Sequence, residues 1–106
     1  VECRIPGADA NSYFAFAGTI AGGLYGIRHK LKLEPESVGN GYEATDVTRI
    51  PSTLSEAIEC WEKSDIAREC FGDEVHHHIL TMAKAEWAAF NQTVTDWELT
   101  RYFERA

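Results

Sequence analysis

Residues 1–13 read VECRIPGADANSY, and this stretch decides the fold expected for the start of the chain. Its first five residues predict a β-strand. Because side chains alternate along a strand, Glu2 and Arg4 would project from one face. An acidic and a basic side chain at the end of a strand suit a site that handles a metal ion and an anionic substrate. The alternative is an ordinary ion pair on an exposed strand.

The residues after the turn signal Pro6-Gly7 predict a helix over about 12–31, capped by Asn11 or by its competitor Asp9. Each interior glycine costs about 1 kcal/mol relative to alanine, so a closely approaching backbone is expected as compensation. We therefore expect this helix to be buried. Its apolar stripe, with steps of three and four residues, consists of Tyr13, Phe16, Ala17, Ile20, Leu24, Ile27 and Leu31.

The rest of the chain predicts a loop followed by helices. Residues 33–51 contain two prolines and two glycines with little periodicity, which is typical of a loop. Residues 53–106 predict a helical region. Two capping boxes, Thr53 with Glu56 and Thr95 with Glu98, mark the starts of helices in this region. Gly72 separates two further helices, which are expected to start near Asp65 and near Asp73. The predicted fold class is mainly α, with four to five helices and one N-terminal strand over 1–5.

Three consecutive histidines, His76-His77-His78, fall within the helix expected from Asp73. Consecutive helical residues lie about 100° apart around the axis, so three in a row cannot converge on one metal ion. We expect them to form a solvated helix face, and we expect His29 to lie at the surface near a helix end. The apolar stripe predicted for the histidine-containing helix consists of Val75, Ile79, Met82, Ala83, Glu86 and Phe90.

Composition excludes several classes of protein. The chain has 106 residues and a net charge of −7, with an isoelectric point near 5.0, which argues against nucleic acid or an anionic membrane as partner. No run of residues approaches the roughly 20 apolar positions that a membrane helix needs. The three cysteines, Cys3, Cys60 and Cys70, lack metal-type spacing and predict reduced thiols in a cytoplasmic protein.

Several motifs occur in a fixed order after the first block: Gly23-Leu24-x-Gly26-Ile27, Asn40-x-Tyr42, Ile50-Pro51-Ser52-x-Leu54-x-Glu56-Ala57 and Val94-Thr95-Asp96-Trp97-Glu98. Together they make the chain resemble the C-terminal part of the glutamine synthetase family over essentially all of its length. The resemblance implies that residues 1–106 are the C-terminal segment of that family's α+β catalytic domain. A free-standing acidic helical module that serves only assembly is the alternative.

The resemblance also implies chemistry and partners. Family members use ATP and Mg²⁺ or Mn²⁺ to join ammonia or an amine to the γ-carboxyl of glutamate through a γ-glutamyl phosphate, and they form stacked rings of subunits. Carried over by position, Glu2 would be a metal ligand, and Arg4 would be the catalytic contact to glutamate and the transferred phosphoryl group. Tyr42 matches a tyrosine that some bacterial members adenylylate, although an ordinary loop tyrosine is the alternative. The acceptor, ammonia or a specific amine, stays open.

Overall fold

Four helices form the regular structure of the computed structural model, which describes residues 3, 5–36, 38–41, 43–45 and 47–105. They are α1 (Ser12–Arg28), α2 (Leu54–Glu62), α3 (Asp65–Asn91) and α4 (Asp96–Tyr102). The described residues include no strand, so the predicted fold class, four to five helices plus a strand over 1–5, is wrong. Cys3 and Ile5 are irregular, because a strand needs a neighbouring strand to take up its backbone hydrogen bonds and the described chain offers none.

Helix α1 begins where the sequence predicts and ends three residues earlier. The side chain of Asn11 accepts hydrogen bonds from the backbone nitrogens of Tyr13 and Phe14, at 3.0 and 3.3 Å, which makes it the N-cap. At the other end, His29 is the C-cap and Lys30 has a positive φ of 50°, so the helix cannot continue to Leu31.

The expectation that α1 is buried is wrong for this chain. No residue of α1 is buried, and the large side chains of its apolar stripe are exposed, with Tyr13 at 84% and Ile27 at 75%. The close backbone approach expected at the glycines is also not found. A Cβ built at Gly18, Gly22 or Gly23 would meet no atom within 4 Å. Contacts among the described residues therefore do not explain these glycines.

The best-packed part of the molecule is the pair α2 and α3, which are joined by only two residues. Ser64 caps α3 by accepting a hydrogen bond from the backbone nitrogen of Ala67 at 3.0 Å. The buried apolar side chains of the described residues all lie in this pair: Ile58, Ala67 and Leu80. The hairpin formed by α2 and α3 is therefore the core of the described structure.

A kink at Gly72 divides α3 where the sequence predicts a break between two helices. Gly72 has φ 77° and ψ 162°, a conformation that only glycine adopts readily, and helical geometry resumes after it. The structure therefore contains one bent helix over Asp65–Asn91 where two separate helices were expected. Before the kink, the Cys70 thiol contacts Ala21 of α1; after it, His76 and Lys84 contact α2.

Helix α4 is held by its own capping box and not by packing. Within the described residues it packs against none of the other three helices. The radius of gyration is 18.0 Å, whereas a compact domain of this length has about 13 Å. In the described part of the chain, no helix combines the length and the apolar character needed to cross a membrane.

Candidate functional site

The three residues singled out by the sequence, Glu2, Arg4 and Tyr42, lie outside the described residues, so the structure describes the surroundings of the site through their neighbours. Cys3 is exposed, and Ile5 is 67% exposed. These two residues and Pro6 form one wall of a cleft of about 400 Å³. The opposite wall belongs to α1 and consists of Phe14, Ala15, Gly18, Thr19, Gly22 and Gly23. We call this space the N-terminal cleft.

The segment around Tyr42 is a loop, as the sequence predicts. Within it, the backbone nitrogen of Glu43 donates to the carbonyl oxygen of Asn40 at 3.0 Å, and the Asn40 amide donates to the Glu43 carboxylate at 2.9 Å. Gly39, with φ 105°, supplies the left-handed conformation just before this turn. The described residues of this loop are exposed except Ala44, which is half-buried, and modification of Tyr42 stays a prediction.

The histidine run is divided between the core and the surface, which the sequence did not predict. His77 and His78 are exposed, but His76 is only 3% exposed, and its ring stacks on Trp61 with centroids 5.4 Å apart. The expectation of a solvated face is therefore wrong for His76. Its Nε2 lies 2.7 Å from the carbonyl oxygen of Trp61, and because a carbonyl only accepts, Nε2 carries the proton.

A second hydrogen bond runs the other way between the same residues. The indole nitrogen of Trp61 donates to the carbonyl oxygen of His76 at 3.0 Å. The two bonds and the stacked rings fix α2 on α3, and Phe71 extends the cluster with its ring 5.7 Å from that of Trp61. We call Trp61, Phe71 and His76 the aromatic clasp. After Gly72, the buried and half-buried residues of α3 are His76, Ile79, Leu80, Ala83 and Trp87, and of these the predicted stripe contains Ile79 and Ala83.

The C-terminal end of α1 is joined to α3 by a pair that the sequence analysis missed. His29 Nε2 lies 2.8 Å from a carboxylate oxygen of Glu69, and the His29 ring stacks on Tyr25 with centroids 4.1 Å apart. Further along, the Cys70 thiol donates to the carbonyl oxygen of Ala21 at 3.7 Å. Only tertiary structure brings these residues together, because they are 40 or more positions apart.

Three carboxylates have a lowered pKa, and each has a structural cause. Hydrogen bonds from Ser52 lower the pKa of Glu56, and hydrogen bonds from Thr95 lower the pKa of Glu98. The pKa of Glu62 is lowered mainly by Lys84, whose Nζ lies 2.6 Å from the Glu62 carboxylate. All three groups are part of helix caps or of the α2–α3 pair. None lines the N-terminal cleft.

The described residues do not form a metal site by themselves. Among them, no group of three or more histidine, cysteine, aspartate or glutamate side chains could hold an ion together.

Comparison with known proteins gives these observations a context. The family model described as the catalytic domain of glutamine synthetase matches residues 1–102. The chain belongs to the glutamine synthetase family. It is 51% identical over 98% of its length to a gamma-glutamylethanolamide synthetase of Streptomyces coelicolor, and it covers 22% of that relative. It is 39% identical over 98% of its length to a glutamate–isopropylamine ligase of a Pseudomonas species, and it covers 23% of that relative. It is 36% identical over 95% of its length to a glutamine synthetase of Thermus thermophilus, and it covers 24% of that relative.

Membership of the glutamine synthetase family confirms the resemblance read from the motifs. The chain spans about a quarter of the length of the curated relatives it matches, or less. Cys3, which lines the N-terminal cleft, is the neighbour of Glu2 and Arg4 in the sequence, and we take this cleft as the candidate site.

Proposed function

We propose that this chain is the C-terminal segment of the catalytic domain of an ATP-dependent ligase that joins an amine to the γ-carboxyl of glutamate through a γ-glutamyl phosphate. The observation that carries the proposal is the match of the glutamine synthetase catalytic-domain model to residues 1–102. The proposed cofactor is Mg²⁺ or Mn²⁺, and the proposed compartment is the cytoplasm. The segment alone is expected to be inactive, because it spans about a quarter of the length of its curated relatives or less, and its described residues contain no group of three or more side chains that could hold a metal ion.

The exposed surface of the chain supports its being a segment of a larger domain. Its accessible surface is 9836 Å², whereas a folded monomer of 11.9 kDa exposes about 5,900 Å². The excess is apolar in large part, since Tyr13, Phe16, Ile20 and Ile27 of α1 are each more than 60% exposed. Patches of this size mark surfaces that another part of a protein covers. A free-standing module would leave α1 unprotected in water.

The relatives favour an organic amine over ammonia as the acceptor. Identity is 51% to the gamma-glutamylethanolamide synthetase and 39% to the glutamate–isopropylamine ligase, but 36% and 33% to the glutamine synthetases of Thermus thermophilus and Thermotoga maritima. We therefore propose a small primary amine, of the ethanolamine class, as the substrate. A type-1 glutamine synthetase 2 of Dictyostelium discoideum, at 39%, argues for ammonia, as do the other two glutamine synthetases.

Within this ligase, Glu2 and Arg4 have the proposed roles of metal ligand and substrate contact. A carboxylate oxygen is the ligand that Mg²⁺ prefers, and the metal supplies charge neutralisation at the transferred phosphoryl group. The guanidinium of Arg4 offers a planar pair of donors that matches a carboxylate or phosphoryl oxygen pair. In phosphoryl transfer, such groups act by holding substrates in line and stabilising negative charge.

The test is an activity screen of the full-length enzyme with ATP, glutamate and a panel containing ammonia, ethanolamine and isopropylamine. We expect the highest kcat/KM with ethanolamine. Highest activity with ammonia would overturn the acceptor proposal and leave the ligase proposal standing, whereas no activity with any acceptor would overturn both.

Two variants test the residue roles. Arg4→Lys should lower kcat/KM severely, because an ammonium group cannot reproduce the guanidinium fork, and Glu2→Gln should weaken activation by Mg²⁺ or Mn²⁺. The matched control is Arg49→Lys in the exposed loop, which should behave as wild type. Wild-type kinetics in either site variant would show that its role was wrongly assigned.

We also propose that the full-length enzyme is a homo-oligomer and that α4 contributes to its contacts. Trp97 and Phe103 are 65% and 84% exposed, and a short helix with such a face needs a surface to cover it. Deleting residues 95–106 and measuring the mass in solution is the test. An unchanged oligomer would exclude α4 as an essential contact.

A further inference from the structure

The loop between α1 and α2 contains the only asparagine of the chain that is followed by glycine, Asn40-Gly41. An asparagine side chain can be attacked by the backbone nitrogen of the next residue, and a side chain on that residue obstructs the attack. Gly41 has no side chain, and a Cβ built there would meet no atom within 4 Å. Both residues are exposed, so water has access to them and the backbone has room to react.

The other two asparagines of the chain are held by helices in ways that oppose this reaction. Asn11 is the N-cap of α1, and its side-chain oxygen accepts hydrogen bonds from two backbone nitrogens of the first turn. Asn91 ends α3, where its amide donates to the carbonyl oxygen of Trp87 at 2.8 Å. The nitrogen that would attack Asn91 belongs to Gln92 and itself donates to the carbonyl oxygen of Ala89. The structure therefore distinguishes three asparagines that differ in how far a helix restrains them.

Asn40 takes part in a turn that depends on its amide group. Its amide nitrogen donates to the Glu43 carboxylate at 2.9 Å, and the Glu43 backbone nitrogen donates to the Asn40 carbonyl oxygen at 3.0 Å. The amide nitrogen is the group that is lost when an asparagine is deamidated. A carboxylate in its place has no proton to donate, and it repels the carboxylate of Glu43. Loss of this amide would therefore remove a contact that holds the turn.

We propose that Asn40 is a site of spontaneous deamidation and that its conversion opens the turn to Glu43. The backbone nitrogen of Gly41 gives its proton to hydroxide and forms a bond to Cγ of Asn40. The bond from Cγ to Nδ2 breaks, and the leaving nitrogen takes a proton from water and departs as ammonia. Water then opens the cyclic succinimide at either carbonyl, which gives aspartate or isoaspartate. Overall, one water is consumed and one ammonia is released, and the proposal does not depend on the proposed ligase activity.

The test follows all three asparagines in the full-length protein, incubated in neutral buffer and then digested at acidic pH. Peptide mass spectrometry measures the loss of each amide, and methylation by a protein isoaspartate methyltransferase detects the isoaspartyl product. We expect Asn40 to be converted before Asn11 or Asn91 changes. Gly41→Ala should lose this conversion, because a Cβ obstructs the attack. Gly26→Ala, which places the same side chain in α1, is the matched control and should convert Asn40 as the wild type does.

The same measurement in urea separates the effect of the fold from that of the sequence. Without their helices, Asn11 and Asn91 should be converted faster than in the native protein, whereas Asn40 should be converted at a similar rate in both states. Protection of Asn40 in the native protein would show that the loop is held away from the reactive geometry, and it would overturn the proposal. Earlier conversion of Asn11 or Asn91 in the native protein, or unchanged conversion of Asn40 in Gly41→Ala, would also overturn it.

A substitution tests the opening of the turn directly. Asn40→Asp reproduces the aspartyl product, and a glutamate-specific protease reports how accessible the backbone after Glu43 is in the native full-length protein. We expect faster cleavage after Glu43 in Asn40→Asp than in the wild type. Gln92→Glu adds the same charge at the exposed end of α3 and should leave the cleavage rate after Glu43 at the wild-type value. An unchanged rate in Asn40→Asp would overturn the proposed opening of the turn.

Discussion

The α2–α3 hairpin and α4 differ in what holds them. In the hairpin, the aromatic clasp joins two helices through stacked rings and two reciprocal hydrogen bonds, at 2.7 and 3.0 Å. Helix α4 has a complete capping box, but in the described part of the chain it packs against none of the other helices. The comparison separates local signals, which start a helix, from tertiary contacts, which supply most of its stability.

Helix α1 lies between these two cases. It is capped by Asn11 and joined to α3 at one end through His29 and Glu69, yet its large apolar side chains are exposed. A helix that is apolar on most of its surface belongs in the interior of a protein. In the described residues, α2 and α3 bury apolar side chains against each other, whereas the apolar side chains of α1 and α4 stay largely exposed.

The largest expected effect is at the centre of the hairpin. Trp61→Ala removes the stacked ring, the contact with Phe71 and the indole donor to His76, and should lower the free energy of hairpin opening by about 3 kcal/mol. Trp97→Ala is the matched control, because Trp97 is 65% exposed and contacts only Tyr102 among the rings. Amide hydrogen exchange of α2 measures both. Equal effects of the two variants would contradict the distinction between the hairpin and α4.

The second prediction concerns the kink within the hairpin. Gly72→Ala places a side chain on a backbone with φ 77° and ψ 162°, and should lower the free energy of unfolding by about 1–3 kcal/mol. Nothing lies within 4 Å of the added Cβ, so the loss would come from the backbone conformation and not from a clash.

The control is Gly26→Ala, in regular helix, which should stabilise α1 by up to about 1 kcal/mol. Urea denaturation monitored by circular dichroism compares the two variants. If Gly72→Ala stabilised the chain, the positive φ of Gly72 would carry no backbone cost, and α3 would not need the kink to contact α1 and α2.

How much of this could be predicted from the sequence depends on the range of the interaction. Asn11, Thr53 and Thr95 were identified as N-caps, because a cap and the backbone nitrogen that donates to it lie within three residues of each other. The inward face of α3 was predicted at Ile79 and Ala83 but not at His76, which was counted as polar, whereas its hydrogen bond to Trp61 makes burial possible. The pairing of His29 with Glu69 has no local signal at all.

The candidate site shows the same difference between features that local sequence predicts and features that depend on tertiary contacts. The motifs identified the family, and the comparisons confirm it. The strand expected over 1–5 was wrong, because a strand is defined by its partner and the described residues contain none.

A smaller effect is expected when the same cap is removed from a packed and an unpacked helix. Thr53→Ala and Thr95→Ala each delete a hydroxyl that accepts from a backbone nitrogen at 3.2 Å, and each should cost about 1 kcal/mol. In α2, the aromatic clasp should keep the helix formed in spite of this loss. In α4, the same loss should abolish most of the helix. Backbone NMR chemical shifts of residues 54–62 and 96–102 report both outcomes, and equal retention of the two helices would contradict the comparison.

The smallest effect is the pH dependence of the α4 cap. Glu98 accepts hydrogen bonds from the Thr95 backbone nitrogen and hydroxyl, at 2.8 and 2.9 Å, and these bonds lower the pKa of Glu98 below its ordinary 4.5. Because the pKa is lower in the folded helix, the charged carboxylate stabilises α4 above pH 4.5, and this contribution is lost as pH falls through the folded value. Glu62 in the hairpin has a pKa lowered in the same direction, mainly by Lys84, but packing holds α2 there. We therefore expect the chemical shifts of α4 to move toward coil between about pH 5 and pH 3 while those of α2 stay constant.

Glu98→Gln is the control, since an amide oxygen can still accept both bonds but does not titrate, and α4 in that variant should be independent of pH. If α4 of the wild-type chain shows no change over this range, its capping box contributes nothing to its stability.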